Sequence, residues 1–172
     1  MPLPKLYCDM DGVLADFKKG AEKATGVPIS QWMNLTKQDK WNPIRNDKTF
    51  WETLPWQSDG KQLWNYIKKH SPDILSAYVD RNIDPKCIPG KQKWCRSQLG
   101  ISGARVNLVK RSQKQNYAQT GYRSPAVLID DYKPNTDQFT RRGGIGIYHT
   151  SASNSIRPVS YTHLTLPPSD LV

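Results

Sequence analysis

The sequence predicts an α/β fold, a mainly parallel sheet flanked by helices with a small helical insertion. Three observations lead there. Short apolar runs, Leu6–Cys8, Ile74–Leu75, Val106–Val109 and Ala126–Ile129, alternate with helix-like stretches along the chain. The last of them is continuously apolar, as expected of a central strand covered on both faces. The chain is 172 residues long, enough for one domain with a modest insertion. Strands ending at Asp9, Ser76, Val109 and Asp130 would collect their terminal side chains at one sheet edge, where ligands bind in such folds.

Composition sets the outer bounds. Hydrophobic residues are 37% and charged residues 23%, a globular balance on the polar side. The net charge of +10 favours an anionic ligand, a nucleotide or a nucleic acid, and does not choose between them. Cys8, Cys87 and Cys95 form neither an even framework nor a Cys-x-x-Cys pair, so a reducing cytoplasm is expected. No charged-then-apolar leader opens the chain and no apolar run is long enough for a membrane span, so no membrane partner is expected.

The first strand follows Pro4 and runs into Asp9-Met-Asp-Gly12. Beyond the strand end the chain turns at Gly12, so Asp9 and Asp11 can face one cleft. Carboxylates held that close repel, and the usual reliefs are a divalent cation or a shared proton. Mg²⁺ prefers oxygen ligands and takes one or two protein carboxylates beside a substrate phosphate. An Asp can also attack phosphorus as a nucleophile. A calcium loop fails on spacing: counted from Asp9, Gly12 is fourth rather than sixth, and the twelfth residue is Gly20 rather than Glu. A plain turn is the alternative for this stretch taken alone.

A helix should follow, with Asp16 at its start, Phe17, Ala21 and Ala24 at helical spacing, and Gly26-Val-Pro28 at its end. Residues 29–58 hold Trp32, Trp41, Phe50, Trp51 and Trp56, are broken by Pro43 and Pro55, and include an expected short helix at Asp47–Leu54. These aromatics can simply be the core of a helical insertion over the sheet edge. Asp59–Lys69 reads as a helix with Leu63, Tyr66 and Ile67 on one stripe, and His70 as a residue capping its C-terminal end. A strand then ends at Ser76, whose hydroxyl can bond a phosphate oxygen. Pro89–Leu99 reads as a helix closed by Gly100, with Trp94 inward and Lys91, Lys93 and Arg96 on a solvated basic face. Val106–Val109 leads into the densest basic patch, Lys110, Arg111 and Lys114. Ala126–Ile129 ends in adjacent acids, Asp130 and Asp131; burying both without a cation would cost several kcal/mol. A helix at Pro134–Arg142 and a strand at Gly143–Tyr148 complete the pattern, with His149 a weak candidate for substrate contact. From Ala152 onward the pattern is lost.

Asp9-Met-Asp-Gly-Val-Leu-Ala-Asp-Phe17 resembles the first motif of the haloacid dehalogenase superfamily of phosphohydrolases, and within it the 5'(3')-deoxyribonucleotidase branch and its phage relatives. Ser76 after an apolar strand resembles the second motif, Lys114 after the strand and Arg111 the third, and Asp130-Asp131 the fourth. This chain has Ala77 where those relatives often carry a second hydroxyl, and Tyr132 where they commonly carry Arg. The resemblance implies a Rossmann-like core at residues 1–17 and 71–151 with a helical cap insertion at 18–70. It implies Asp9 as nucleophile and Asp11 as acid and base, with Mg²⁺ on Asp9, Asp130 and the Asp11 carbonyl and Asp131 in support. Ser76 and Lys114 would hold the phosphate, with Lys110 and Lys91 as rivals to Lys114. Phe17, Phe50 and Trp51 would line a nucleobase pocket. The implied activity is Mg²⁺-dependent hydrolysis of a nucleoside monophosphate. Another phosphoester, a nucleic-acid end, or plain nucleic-acid binding on the basic surface are the alternatives. Residues 152–172 are expected to be an irregular tail, of which 158–172 resemble a translated sequencing adapter.

Overall fold

The computed structural model describes residues 2–164. In chain order its elements are β1 (Leu6–Cys8), α1 (Phe17–Thr25), α2 (Ile29–Trp32), α3 (Lys37–Asn46), α4 (Gly60–Ile67), β2 (Asp73–Ala77), α5 (Cys87–Trp94) and β3 (Val106–Val109). There follow β4 (Gln119–Thr120), β5 (Ser124–Pro125), β6 (Val127–Asp130), α6 (Lys133–Arg141), β7 (Ile145–Tyr148) and α7 (Ala152–Thr162). The main sheet has five strands in the order β3-β2-β1-β6-β7, every pair parallel. The expected α/β, Rossmann-like architecture is what forms. The chain fills the sheet outward on one side of β1 and then crosses to β6 on the other. The switch point therefore lies between β1 and β6, and Cys8 pairs with Ile129 there.

Strand alternation sorts the core onto two faces. Leu6, Cys8, Ile74, Val127 and Ile129 join a cluster with Leu63 of α4, Cys87 and Trp94 of α5, and Val159 of α7. Tyr7, Leu75 and Leu128 join a second cluster with Ala118 and Phe139. All four residues of β6 are buried, and each large apolar side chain so covered contributes about 1.5–3 kcal/mol.

Local chemistry explains the element boundaries. The Asp16 side chain accepts from the Lys19 N–H at 2.9 Å and caps α1. Gly26, at φ +74°, closes that helix in the left-handed conformation. The helix expected at Asp47–Leu54 is instead a run of turns, because the Asp47 carboxylate takes the Thr49 N–H at 3.0 Å and competes with helical bonding. Pro43, expected to break the chain, sits inside α3. The helix α4, expected within the insertion, lies against α7. Residues 152–162 are not irregular: Ser151 caps α7 by accepting the Asn154 N–H at 3.1 Å, and Ala152, Ser155 and Val159 are buried. Of the rest of the expected tail, residues 165–172 lie outside the described residues. Among the described residues no helix is long and apolar enough to cross a membrane.

Candidate active site

Asp9, the first residue beyond β1, and Asp130, the last residue of β6, stand side by side because the two strands pair in parallel register, and the Asp9 N–H bonds the Ile129 carbonyl at 2.9 Å. After Asp9 the chain folds onto a single acceptor: the Met10 carbonyl receives the N–H groups of Val13, Leu14 and Ala15. Gly12 adopts φ +81°, and a Cβ there would fall 2.0 Å from Asp131 Oδ2. Only glycine leaves the Asp131 carboxylate its place.

Asp9, Asp130 and Asp131 each offer an oxygen, and the three lie within 4.8 Å of one another. Asp9 Oδ1 accepts from the Met10 N–H at 2.8 Å and pairs with Lys114 Nζ at 3.1 Å, which leaves Oδ2 uncommitted. Asp130 Oδ2 accepts from Lys114 Nζ at 2.7 Å and from Asn135 Nδ2 at 3.1 Å, while its Oδ1 takes the Tyr132 N–H at 2.9 Å. Burial, and then the Asp9 charge, push the Asp130 carboxyl up to about 6. Burial with the Asp9 and Asp130 charges pushes Asp131 up to about 7. Burial works against the Lys114 ammonium, but the Asp9 and Asp130 carboxylates outweigh it and hold its pKa above the usual lysine value.

Asp11 faces the same cavity with a different partner. Its Oδ2 pairs with Lys91 Nζ at 2.6 Å, and its Oδ1 is buried without a hydrogen-bond partner. Lys91 also donates to Ser76 Oγ at 3.1 Å and to the Ala77 carbonyl at 2.6 Å. The charged face expected at Lys91 is solvated only at Lys93 and Arg96; Lys91 itself is 1% exposed. The two buried lysines come from opposite faces of the sheet, Lys91 on α5 and Lys114 on the turn of 3₁₀ helix at Arg111–Tyr117. Lys110 is exposed.

Four carboxylates thus meet two ammonium groups, leaving two negative charges when all are ionised. An all-oxygen donor set with that surplus fits a hard divalent cation such as Mg²⁺. Asp9 and Asp130 enter this cluster as expected. Asp131, expected only in support, is its third carboxylate. The Asp11 carboxylate stands apart on Lys91.

Asp9, Asp11 and Asp131 line a cavity of about 400 Å³, with Phe17, Trp32, Trp41 and Trp51 also in its walls, while Asp130 is fully buried behind them. Phe17 stacks on Trp51 at 5.6 Å between ring centroids. Trp51 is held by its Nε1–H on buried Asp84 at 2.8 Å. Phe50 does not line the cavity as expected: it is 4% exposed and packs edge-on behind Phe17 and Trp51. Lys18 and Arg111 sit at the rim as exposed cations, Arg111 lying 4.6 Å over the Tyr132 ring. His149 takes no part in the cavity lining; its Nδ1 bonds Ser155 Oγ at 2.6 Å. Trp32, Trp41 and Asn135 are lining residues that the sequence pattern did not single out. Their signal, aromatics spaced within the insertion and an Asn five residues after Asp130, has no meaning until the chain is folded.

No protein-family model matches the chain, and no curated protein matches it. Among solved structures, a hydrolase from Streptococcus pneumoniae TIGR4 overlays with a TM-score of 0.54, covering 93% of this chain and 100% of that chain at 12% identity. The two chains share a fold. A hydrolase from Pseudomonas syringae, at TM-score 0.47 and 12% identity over 94% of this chain and 90% of that one, overlays more loosely. So does a β-phosphoglucomutase-like protein from Thermotoga maritima, at 0.44 and 13% over 83% and 82%.

Proposed function

We propose that the protein is a Mg²⁺-dependent phosphomonoester hydrolase of the haloacid dehalogenase superfamily, and that its substrate is a (deoxy)ribonucleoside monophosphate. One observation carries this reading: Asp9, Asp11, Asp131, Ser76, Lys91 and Lys114, with Asp130 paired to Lys114 behind them, line one cavity together with Phe17, Trp32, Trp41 and Trp51. A pure anion binder has no use for four carboxylates in its cleft. The cavity volume of about 400 Å³ is that of a small-molecule site. An aromatic wall offers a base stacking worth about 1–3 kcal/mol, with little discrimination between bases.

In this mechanism Asp9 Oδ2, the uncommitted oxygen, attacks the phosphorus in line with the departing ester oxygen. The Asp11 carboxyl protonates that oxygen as the bond breaks, then takes a proton from the water that hydrolyses the aspartyl-phosphate. Lys114 and the Ser76 hydroxyl hold the phosphoryl oxygens, and Lys114 keeps Asp9 and Asp130 in register. Asp9 and Asp130, with Asp131 and the Asp11 carbonyl, are the groups that would hold the cation. Bound there, it offsets the mutual repulsion of attacker and phosphate. Residues 18–58, which bring Trp32, Trp41 and Trp51 to the cavity beside Phe17, act as the cap over the core.

Lys18 and Arg111 at the rim favour one second reading, a phosphate at a nucleic-acid end whose next phosphates lie along these cations. Phosphate release from mononucleotides, sugar phosphates and 5'- or 3'-phosphorylated oligonucleotides, with Mg²⁺ and with excess chelator, separates the two. The expected result is Mg²⁺-dependent release from mononucleotides that Asp9→Asn abolishes. Undiminished activity in chelator or in Asp9→Asn would refute the mechanism.

A further inference from the structure

Lys91 is a buried cation that the mechanism above does not use. It reaches the cleft because α5 packs directly on the Trp51 turn: a Cβ on Gly90 would fall 2.4 Å from Trp51 Cβ. The next residue, Lys91, is thereby inserted between Trp51 and the end of β2, its Nζ 5.5 Å from the Trp51 ring centroid. An ammonium has three N–H donors. All three are taken by protein groups: Asp11 Oδ2, Ser76 Oγ and the Ala77 carbonyl. No donor is left for a phosphoryl oxygen, which separates Lys91 from Lys114. What Lys91 does fix is the orientation of Asp11. With Oδ2 tied at 2.6 Å and Oδ1 buried against the protein, the carboxyl of a side chain that lines the cavity is held in one orientation.

We infer that Lys91 is the positioning residue for proton transfer, tying the Asp11 carboxyl to the end of β2 so that it meets the leaving oxygen and then the attacking water. The inference rests on the phosphohydrolase reading above. In the first step the bond from Asp9 to phosphorus forms, the bond from phosphorus to the ester oxygen breaks, and the Asp11 carboxyl proton moves to that oxygen. In the second step water attacks phosphorus, the bond to Asp9 breaks, and a water proton returns to Asp11. The Lys91 ammonium is unchanged throughout. The Ala77 carbonyl and Ser76 anchor it, so Asp11 has a fixed reference on β2 besides its own turn.

The test uses two esters of similar size that differ in their need for a proton. Benzyl phosphate leaves as an alkoxide and needs one; 4-nitrophenyl phosphate leaves as a stabilised phenolate and does not. In Lys91→Met, single-turnover release from benzyl phosphate should fall by about 100-fold, the low end of what general acid–base catalysis supplies. The first release of 4-nitrophenolate should fall by less than about tenfold and appear as a burst. Steady turnover should then be slow, with phosphate left on the protein, because hydrolysis still needs Asp11. Asp11→Asn should behave alike, and the pair Asp11→Asn/Lys91→Met should be no worse than Asp11→Asn. Equal losses for both esters with a raised KM would make Lys91 a phosphate ligand or a purely structural residue and overturn the inference. Should Lys91→Met fold poorly, the double variant leaves no unpaired charge, and a burst weaker than that of Asp11→Asn would overturn it equally. Failure of the underlying reading looks different: wild type would release nothing from either ester, or Asp9→Asn would stay active.

Discussion

Replacing Gly12 by Ala tests whether the turn after β1 exists to seat Asp131. Two costs can be read from the geometry. The residue holds φ +81°, where a side chain costs about 1–2 kcal/mol. The new Cβ would also lie 2.0 Å from Asp131 Oδ2 and 2.6 Å from its Cγ, against an ordinary contact of 3.4 Å or more. The neighbour is the end of a side chain, so Asp131 yields rather than the backbone, and it must retreat by about 1.4 Å. That shift is small for the fold and large for a cation that requires oxygens at about 2.0–2.1 Å. The strain alone should lower Tm by about 2–8 °C for a chain of this size. Mg²⁺ affinity, measured by calorimetric titration of the folded variant, should fall by about 10–100-fold. Asp131→Ala removes the clashing atoms, so in that background Gly12→Ala should cost only the strain and no further metal affinity. A Gly12→Ala protein that binds Mg²⁺ as wild type does would refute the claim that Gly12 makes room for a metal-binding carboxylate.

Mg²⁺ at about 100 times its dissociation constant should stabilise the protein by about 2.7 kcal/mol, reversed by chelator and absent in Asp130→Asn; a Tm indifferent to Mg²⁺ would argue against a cation among Asp9, Asp130 and Asp131. Trp51→Phe removes the 2.8 Å bond to Asp84 and should cost about 1–3 kcal/mol in chemical denaturation while retaining a stacking face. If Trp51 stacks on the substrate, its variant should raise KM for a mononucleotide more than for 4-nitrophenyl phosphate; equal changes would remove it from the base site. Val159→Asp would place an unpaired charge at a fully buried position of α7 and should lower stability by several kcal/mol in denaturant melts. Unchanged melting would show that α7 does not dock, whatever the origin of the chain's last residues.

Much of this arrangement was legible because the site residues terminate apolar strands. Leu6–Cys8 before Asp9 and Ala126–Ile129 before Asp130 announce both strand and carboxylate within one stretch, and parallel pairing then brings the two ends together without further information. The α1 boundaries were legible for a similar reason, since Asp16 and Gly26 act on their own backbone neighbours. The misreadings share the opposite property. Asp47 was as good a helix start as Asp16 by type, but its carboxylate serves Thr49 in a turn. Ser151 was a usable cap, with Ala152, Ile156 and Val159 at helical spacing, yet Pro158 masked the pattern; the surface α7 covers, including Leu63 and Ile67, decides that helix. Phe50 and Trp51 are adjacent aromatics of the same type, and only packing determines that one faces the cavity and the other its wall.

Lys91 is the sharpest instance. In the sequence it belongs to a basic run with Lys93 and Arg96, and solvation is the ordinary fate of such a run. Its burial depends on Gly90 admitting the Trp51 turn, on Ala77 leaving its carbonyl open, and on Asp11 supplying the opposite charge. Trp51, Ala77 and Asp11 are 40, 14 and 80 positions from it in separate parts of the fold, so no local pattern could announce the contact. The same separation gives the contact its value: a lysine entering from one face of the sheet and another entering from the opposite face keep two neighbouring carboxylates in different electrostatic surroundings. Asp9 shares its cation with Asp130, and Asp11 has one to itself. Two acids two residues apart can then take different parts in one reaction.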